Sequence, residues 1–273
     1  VTRRDFALAL AGDLKTGKVE WVGDHLSISG HPRDFAAWET MTRRLATAPK
    51  GVTVASDSLV TPAPARWSVS ATRAGERLVL DGFLPDLATR ERIAADASKG
   101  GLRLEDRTRI APGAVEGTDA ALAFGLKALA DMTEGGVKID PAGFTIAGRP
   151  KSWTVRRDLE TVLKAGVPGG LPLVADGLVP VPPPVYAFEL KSIDGAVTAG
   201  GFVPDAAARD RLMAALGANF ASVKEELEVA PGAPAGFVDT IVGVVPTLAR
   251  FTGFEFRLAD AVAGVSASAP TEA

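Results

Sequence analysis

Apolar and polar residues alternate ahead of four glycines, and the pattern recurs along the chain. Four residues before Gly30, Gly82, Gly148 and Gly201 stand Leu26, Leu78, Phe144 and Val197; two before stand Ile28, Leu80, Ile146 and Ala199. A period of two predicts a strand with one buried face. After each glycine the period changes. Five residues on stand Phe35, Leu87, Trp153 and Ala206; eleven on stand Met41, Ile93, Leu159 and Leu212; fifteen on stand Leu45, Ala97, Leu163 and Leu216. Those offsets fall on one side of a helix of 3.6 residues per turn. Each unit therefore reads as strand, glycine turn, amphipathic helix and second strand, the last represented by Val52-Thr53-Val54 and Leu102-Arg103-Leu104. Glycine is expected where the strand turns sharply into the helix, because it tolerates positive φ. The nearby proline suits the first helical turn.

A longer repeat encloses this one. Gly82-Phe83-Leu84-Pro85-Asp86 returns as Gly201-Phe202-Val203-Pro204-Asp205, and Ala111-Pro112-Gly113-Ala114 as Ala230-Pro231-Gly232-Ala233, both shifted by 119 residues. Trp67 and Tyr186, and the Pro-rich stretches before them, share that shift. The Gly82 and Gly201 units read Gly-Phe-x-Pro-Asp, whereas the Gly30 and Gly148 units read Gly-His-Pro and Gly-Arg-Pro. An extra helix is predicted over 119–132, matched by 238–251 and partly by 5–14. The fold class is α+β: tandem small βαβ modules of two alternating types with a period near 119 residues, helices packed on small mixed sheets. The expected organisation is a partial repeat over 1–60, a linker over 61–66, and modules over 67–117 and 118–179. A second linker over 180–185 leads to a module over 186–236, a truncated module over 237–265 and a flexible tail over 266–273. Its hairpin begins at Gly253 and reaches Gly264. The chain reads as a fragment of something longer.

Composition removes function classes without naming one. There is no cysteine, so there is no disulfide, no thiolate metal site and no cysteine nucleophile. Thirty basic residues face 33 acidic ones, for a net charge of -3, which argues against nucleic acid as a partner. Hydrophobic content of 47% supports packed cores over disorder. The 29 glycines and 19 prolines point to many turns between short elements.

The individual motifs supply no chemistry. Gly12-Asp13-Leu14-Lys15-Thr16-Gly17-Lys18 matches the start of a P-loop, but Val19 stands where the Mg²⁺-holding hydroxyl belongs. The context is also inverted, with a helix before it and a strand at Val19-Glu20-Trp21-Val22. His25 and His31, with Asp24 and Asp34 nearby, have no counterparts in the other units and read as surface residues. Glu105 with Asp106, and Glu225, Glu226 and Glu228, alternate with apolar residues and read as the solvent faces of strands. Asp86 and Asp205 are expected to cap helices, with Arg90 and Arg209 as exposed i, i+4 partners. Trp67 and Tyr186, and Trp153 and Phe35, read as core; Trp21 and Trp38 read as half-buried packing. Catalytic, cofactor-binding and metal residues are expected to be none, and no cofactor is called for.

Residues 78–106 and 197–229 resemble the BON domain, a small αβ module of bacterial envelope proteins. They carry its strand ending in glycine, its helix and its acidic second strand, as Leu78-Val79-Leu80-Asp81-Gly82 and Val223-Lys224-Glu225-Glu226-Leu227 show. The tandem form with Gly-Phe-x-Pro-Asp and Ala-Pro-Gly-Ala resembles the N-terminal region of alphaproteobacterial OmpA-family proteins, whose peptidoglycan-binding domain would lie beyond Ala273. In one respect the chain departs from the pattern: the usual Gly-Val before the second strand is Gly101-Leu102 here, and Phe220-Ala221-Ser222-Val223 in the other unit. The resemblance implies a non-enzymatic periplasmic spacer, scaffold or interaction region of the cell envelope, outer-membrane associated in the full-length protein. Its implied partners are a phospholipid surface or other envelope proteins. The alternative is a protein–protein assembly module that self-associates through exposed strand edges.

Overall fold

The computed structural model describes residues 2–193 and 196–268. It is α+β, with seven helices and three mixed sheets among the described residues. The chain divides into two compact units: one runs to Gly148 and includes Val162–Gly177, and the other holds Arg149–Thr161 and the chain from Leu178 onward.

In the first unit, α1 (Arg3–Gly12), β1 (Leu14–Val22), β2 (His25–Pro32), α2 (Phe35–Ala46) and β3 (Thr53–Leu59) form the smallest sheet, ordered β1-β2-β3. Strands β1 and β2 are an antiparallel hairpin, and α2 carries the chain across to β3, parallel to β2. The next sheet has the order β6-β5-β4-β7-β8-β9. It is built from β4 (Val69–Ala74), β5 (Arg77–Leu84), α3 (Leu87–Lys99) and β6 (Arg103–Ile110), then α4 (Thr118–Ala130), β7 (Met132–Asp140), β8 (Gly143–Pro150), α5 (Trp153–Ala165) and β9 (Leu173–Leu178). The second unit repeats the arrangement with β10 (Ala187–Ile193), β11 (Ala196–Val203), α6 (Ala206–Gly217), β12 (Val223–Val229), α7 (Phe237–Leu248), β13 (Gly253–Ala259) and β14 (Val262–Ser268). Its sheet order is β12-β11-β10-β13-β14.

The module is therefore ββαβ, one strand richer than the sequence pattern shows. The added strand is the one through which modules pair. In the six-stranded sheet β4 lies antiparallel to β7 with Ala71 opposite Val137, and in the five-stranded sheet β10 lies antiparallel to β13 with Leu190 opposite Phe256. Strand β14 runs to Ser268, so residues 266–268 of the segment expected as a tail are strand. Residues 269–273 lie outside the described residues.

The residues expected on the buried strand face are buried, from Leu26 and Ile28 to Val197 and Ala199. Helix positions eleven and fifteen after the glycine are buried throughout, as Met41, Leu45, Ile93, Ala97, Leu159, Leu163, Leu212 and Leu216. Position five is different: Leu87 is 61% exposed and Ala206 is exposed, while Phe35 is buried and Trp153 half-buried. The cap does not set this difference, because a capping aspartate precedes Phe35, Leu87 and Ala206 alike.

The four glycines are not at turns. Gly30, Gly82, Gly148 and Gly201 lie within β2, β5, β8 and β11, with φ between +101° and +150°. Each meets the backbone of its hairpin partner. A Cβ on Gly82 would lie 2.2 Å from the Ser68 carbonyl oxygen, and one on Gly201 would lie 2.3 Å from that of Ala187. Glycine is required by both the left-handed backbone and the close strand crossing.

Candidate interaction surfaces

One set of contacts occurs in both units, between the start of a helix and the strand pair beside it. In the first unit, the Phe35 ring at the start of α2 meets Phe83 of β5 edge-on, with centroids 5.2 Å apart and planes at 86°. Arg109 of β6 lies over both rings, 4.6 Å from the Phe83 centroid and 5.6 Å from that of Phe35. Its guanidinium donates to Glu39 of α2 at 2.8 Å. In the second unit, Trp153 at the start of α5 meets Phe202 of β11 edge-on at 5.7 Å. Arg157 lies 5.1 Å from the Trp153 ring centroid and pairs with Glu228 of β12. The charges are exchanged. The helix carries the acid in the first unit and the base in the second, so either order satisfies the geometry. Such a stacked cation on an aromatic pair contributes about 0.5–1 kcal/mol at an exposed site.

The Pro-rich stretches are fixed corners within their own units. Each is covered by the Ala-Pro-Gly-Ala turn that follows the parallel strand. Gly113 and Gly232 hold φ of +108° and +98°, and a Cβ would come within 3.1 Å of Ala63 Cβ and 2.7 Å of Pro182 Cβ respectively. The residue after each stretch anchors the corner. Trp67 Nε1 donates to the Ala111 carbonyl at 3.2 Å, and the Tyr186 hydroxyl donates to the Ala230 carbonyl at 3.0 Å. Trp67 and Tyr186 are both buried. Burial, with the Asp205 charge nearby, pushes the Tyr186 phenol up to about 12.

The acidic clusters are the partners of arginines and lysines. Arg90 of α3 does not pair with Asp86 at i−4, as the sequence spacing implies, but with Asp106 of β6. Arg209 of α6 likewise pairs with Glu225 of β12. Asp86 and Asp205 instead cap their helices, accepting from the amides of Thr89 and Ala208 at 2.7 Å. Burial pushes the Asp106 carboxyl up, but hydrogen bonds from Thr108 and Arg90 and the arginine charge outweigh it and hold the group below its ordinary value. Glu105 is held low by its hydrogen bonds from Arg77 and Arg107. Glu226 pairs with Lys224 at 2.6 Å. A polar constellation therefore does recur with the module: an aspartate cap and an arginine reaching from helix to strand. It ties the helix to the sheet.

The other singled-out residues do structural work as well. The P-loop-like segment ends α1 at Gly12 and is already strand from Leu14. Gly17 lies opposite Gly30 in the β1–β2 hairpin, where a Cβ would meet the Ser29 carbonyl oxygen at 2.2 Å. His25 and His31 are exposed, and His31 Nδ1 lies 3.4 Å from the Thr16 hydroxyl. Asp24 pairs with Arg3 at 2.5 Å, and Asp34 caps α2. Among the described residues no group of three or more metal-ligating side chains comes together. Trp21 and Trp38 are half-buried; Trp21 packs on the core of the smallest sheet and Trp38 on Phe35.

A cleft of about 250 Å³ opens between α3 and α4, lined by Ile93, Ala97, Leu122 and Leu126 with Arg92 and Lys127. The matching helices of the second unit, α6 and α7, pack together instead. Leu216 stands there in the place of Ala97, and Arg211 pairs with Asp239 at 2.7 Å. Sequence reasoning missed the cleft because it depends on small residues meeting between two helices.

No helix among the described residues is long and apolar enough to cross a membrane. No protein-family description matches the sequence, and no curated protein does. Among solved structures the chain is similar to the C-terminal domain of CdsD, described as the structural protein of the type III secretion system of Chlamydia trachomatis. The similarity covers 66% of this chain and 97% of that one at 14% identity, with a TM-score of 0.20. A TM-score that low establishes no shared arrangement between the two.

Proposed function

We propose that the chain is a non-enzymatic spacer or scaffold of a bacterial cell envelope, made of tandem BON-like modules of two alternating types with a period near 119 residues. The observation that carries this reading is the fate of the recurring polar side chains. Asp86 and Asp205 cap their own helices, and Arg90, Arg209 and the exchanged pairs Glu39–Arg109 and Arg157–Glu228 hold helices to strands. Their carboxylates and guanidinia satisfy one another on the surface of each module. The envelope setting rests on the resemblance in residues 78–106 and 197–229. Fractionation of cells producing the full-length protein tests the setting: recovery in the cytoplasm overturns it, and recovery in the periplasmic or outer-membrane fraction supports it. Flotation with anionic vesicles tests the lipid-contact form, which predicts that the chain rises with the vesicles and remains below in their absence.

The second reading is assembly through strand edges, and the sheet orders favour it. Strands β3, β6 and β12 each end a sheet, lying parallel to β2, β5 and β11. Unpaired edges present rows of backbone donors and acceptors to another strand.

A further inference from the structure

We propose that the cleft between α3 and α4 binds a small amphiphilic carboxylate, an unbranched hydrocarbon chain with one acid group. The chain lies between the two helices and the carboxylate meets Arg92. The proposal goes beyond the scaffold reading by giving one module a soluble ligand, held within the first unit alone.

The second unit shows what this place in the module accepts. At the shift of 119 residues, Ala97 and Ala123 become Leu216 and Val242, and Ala120 becomes Asp239. There, Leu216 is fully buried and Val242 packs on the same core. The Arg211 guanidinium meets the Asp239 carboxylate at 2.7 Å. The first unit keeps the framework around these positions, with Leu78, Ile93 and Leu122 buried along the cleft. Arg92 stands in the place of Arg211, and Ala120 gives it no acid. Among the described residues Arg92 forms no ion pair or hydrogen bond. Its charge helps to hold the Asp86 carboxyl low, but that carboxylate already accepts from the Thr89 amide as the cap of α3. The two units therefore differ here by apolar side chains between the helices and by one carboxylate beside an arginine. An amphiphilic acid supplies both.

The lining excludes most other ligands. It carries no hydroxyl or amide side chain, so a sugar or a nucleobase would bury polar groups without partners. Lys127 adds a second cation, also without an ion pair among the described residues. Asp96 is the one acid of the lining, and Lys99 meets it at 3.4 Å. The rim thus favours a single anion. The volume of about 250 Å³ lies just below the roughly 300–1,000 Å³ of pockets for drug-sized ligands, so the cleft takes one chain and not a two-chain lipid.

Calorimetric titration of the whole chain with decanoate, kept below micelle formation, reads the binding. One saturable site is expected, and decyltrimethylammonium, of equal length and opposite charge, binds at least about tenfold more weakly. Arg92→Gln weakens decanoate about tenfold, the order of a charged hydrogen bond, while Arg211→Gln leaves it unchanged. Ala97→Leu fills the cleft as Leu216 does and abolishes binding. Ala120→Asp, on an exposed helix position, gives Arg92 an internal acid and weakens decanoate by a similar factor without touching the core. Circular dichroism confirms that each variant is folded. In isoleucine-methyl spectra decanoate shifts Ile93 and leaves Ile241 of the second unit in place. Absence of saturable binding overturns the proposal, as does equal binding of the cation. So does binding that ignores both Ala97→Leu and Ala120→Asp, or a shift at Ile241 in place of Ile93. Vesicle flotation lost in Ala97→Leu, with no binding of free decanoate, assigns the cleft to a membrane acyl chain and overturns the soluble ligand. The envelope setting is decided separately, by fractionation.

Discussion

The chain has a single tyrosine, so raising the pH reads one corner of the second unit by itself. Tyr186 is 2% exposed, and its hydroxyl donates to the Ala230 carbonyl at 3.0 Å. Burial, then the charge of Asp205, raises the phenol from 10.0 to about 12. In the unfolded chain the group titrates near its ordinary value of about 10. The folded value is the higher one, so the stabilisation is complete below pH of about 10 and is lost as pH rises through the folded value. A difference of roughly two pKa values corresponds to about 3 kcal/mol removed over that window. The assay is absorbance of tyrosinate at 295 nm against pH, with far-UV circular dichroism on the same samples. The native chain is expected to show no tyrosinate step near pH 10 while its dichroism is unchanged; in denaturant the step returns there. Tyr186→Phe removes the donor to Ala230 at a cost of about 1–2 kcal/mol, and removes this part of the alkaline loss. Ionisation near pH 10 with native dichroism would refute the burial argument for the corner.

Three more expectations follow from the contacts. Glu228→Arg places two arginines together against Trp153 and lowers stability by up to about 1 kcal/mol, and Arg157→Glu in the same chain recovers most of it; denaturant midpoints check this, and no recovery refutes the pairing. Gly201→Ala, at φ +105° with a Cβ 2.3 Å from the Ala187 oxygen, destabilises by at least about 1 kcal/mol, whereas Gly243→Ala, inside α7 with open space around it, stabilises by up to about 1 kcal/mol; thermal melts that rank the two the other way would sink the strand-crossing explanation. Asp106 has its folded pKa lowered, so the stability it contributes is present above its unfolded value of 3.8 and lost as pH falls through the lower folded value. Asp106→Asn should flatten that acid limb, measured as midpoint against pH.

Much of the core was legible because burial along one element follows a local period. Leu78 and Leu80, Ile93 and Ala97 announce their faces whatever lies beyond them. The hairpin strand that opens each module was not legible to the same degree. Strand β4, Val69–Ala74, has only Val69 and Ala71 on its buried face before Arg73 and the turn, so its period is too short to stand out. The glycines were found but misplaced. Their spacing marks a position that cannot carry a side chain, and turn and strand crossing both have that requirement. Arg90 and Arg209 show a different limit: an i, i+4 acid was available in each helix, but that acid was already committed to capping the amides of the first turn. The arginine then reached across to the strand, a partner 16 residues away in both units.

The sequence by itself determined the α+β class and the buried face of the glycine-bearing strand and of most of the helix after it, because these follow from the polarity of residues a few positions apart. Tertiary structure decided which strands meet and where. That choice depends on backbone hydrogen-bond registers between distant segments, such as Ala71 opposite Val137 and Leu190 opposite Phe256, which no local periodicity encodes. It also decided the meaning of the charges. Arg90 and Arg209 each stand four residues after an aspartate in the sequence, and the fold pairs them instead with Asp106 and Glu225 on the neighbouring strand.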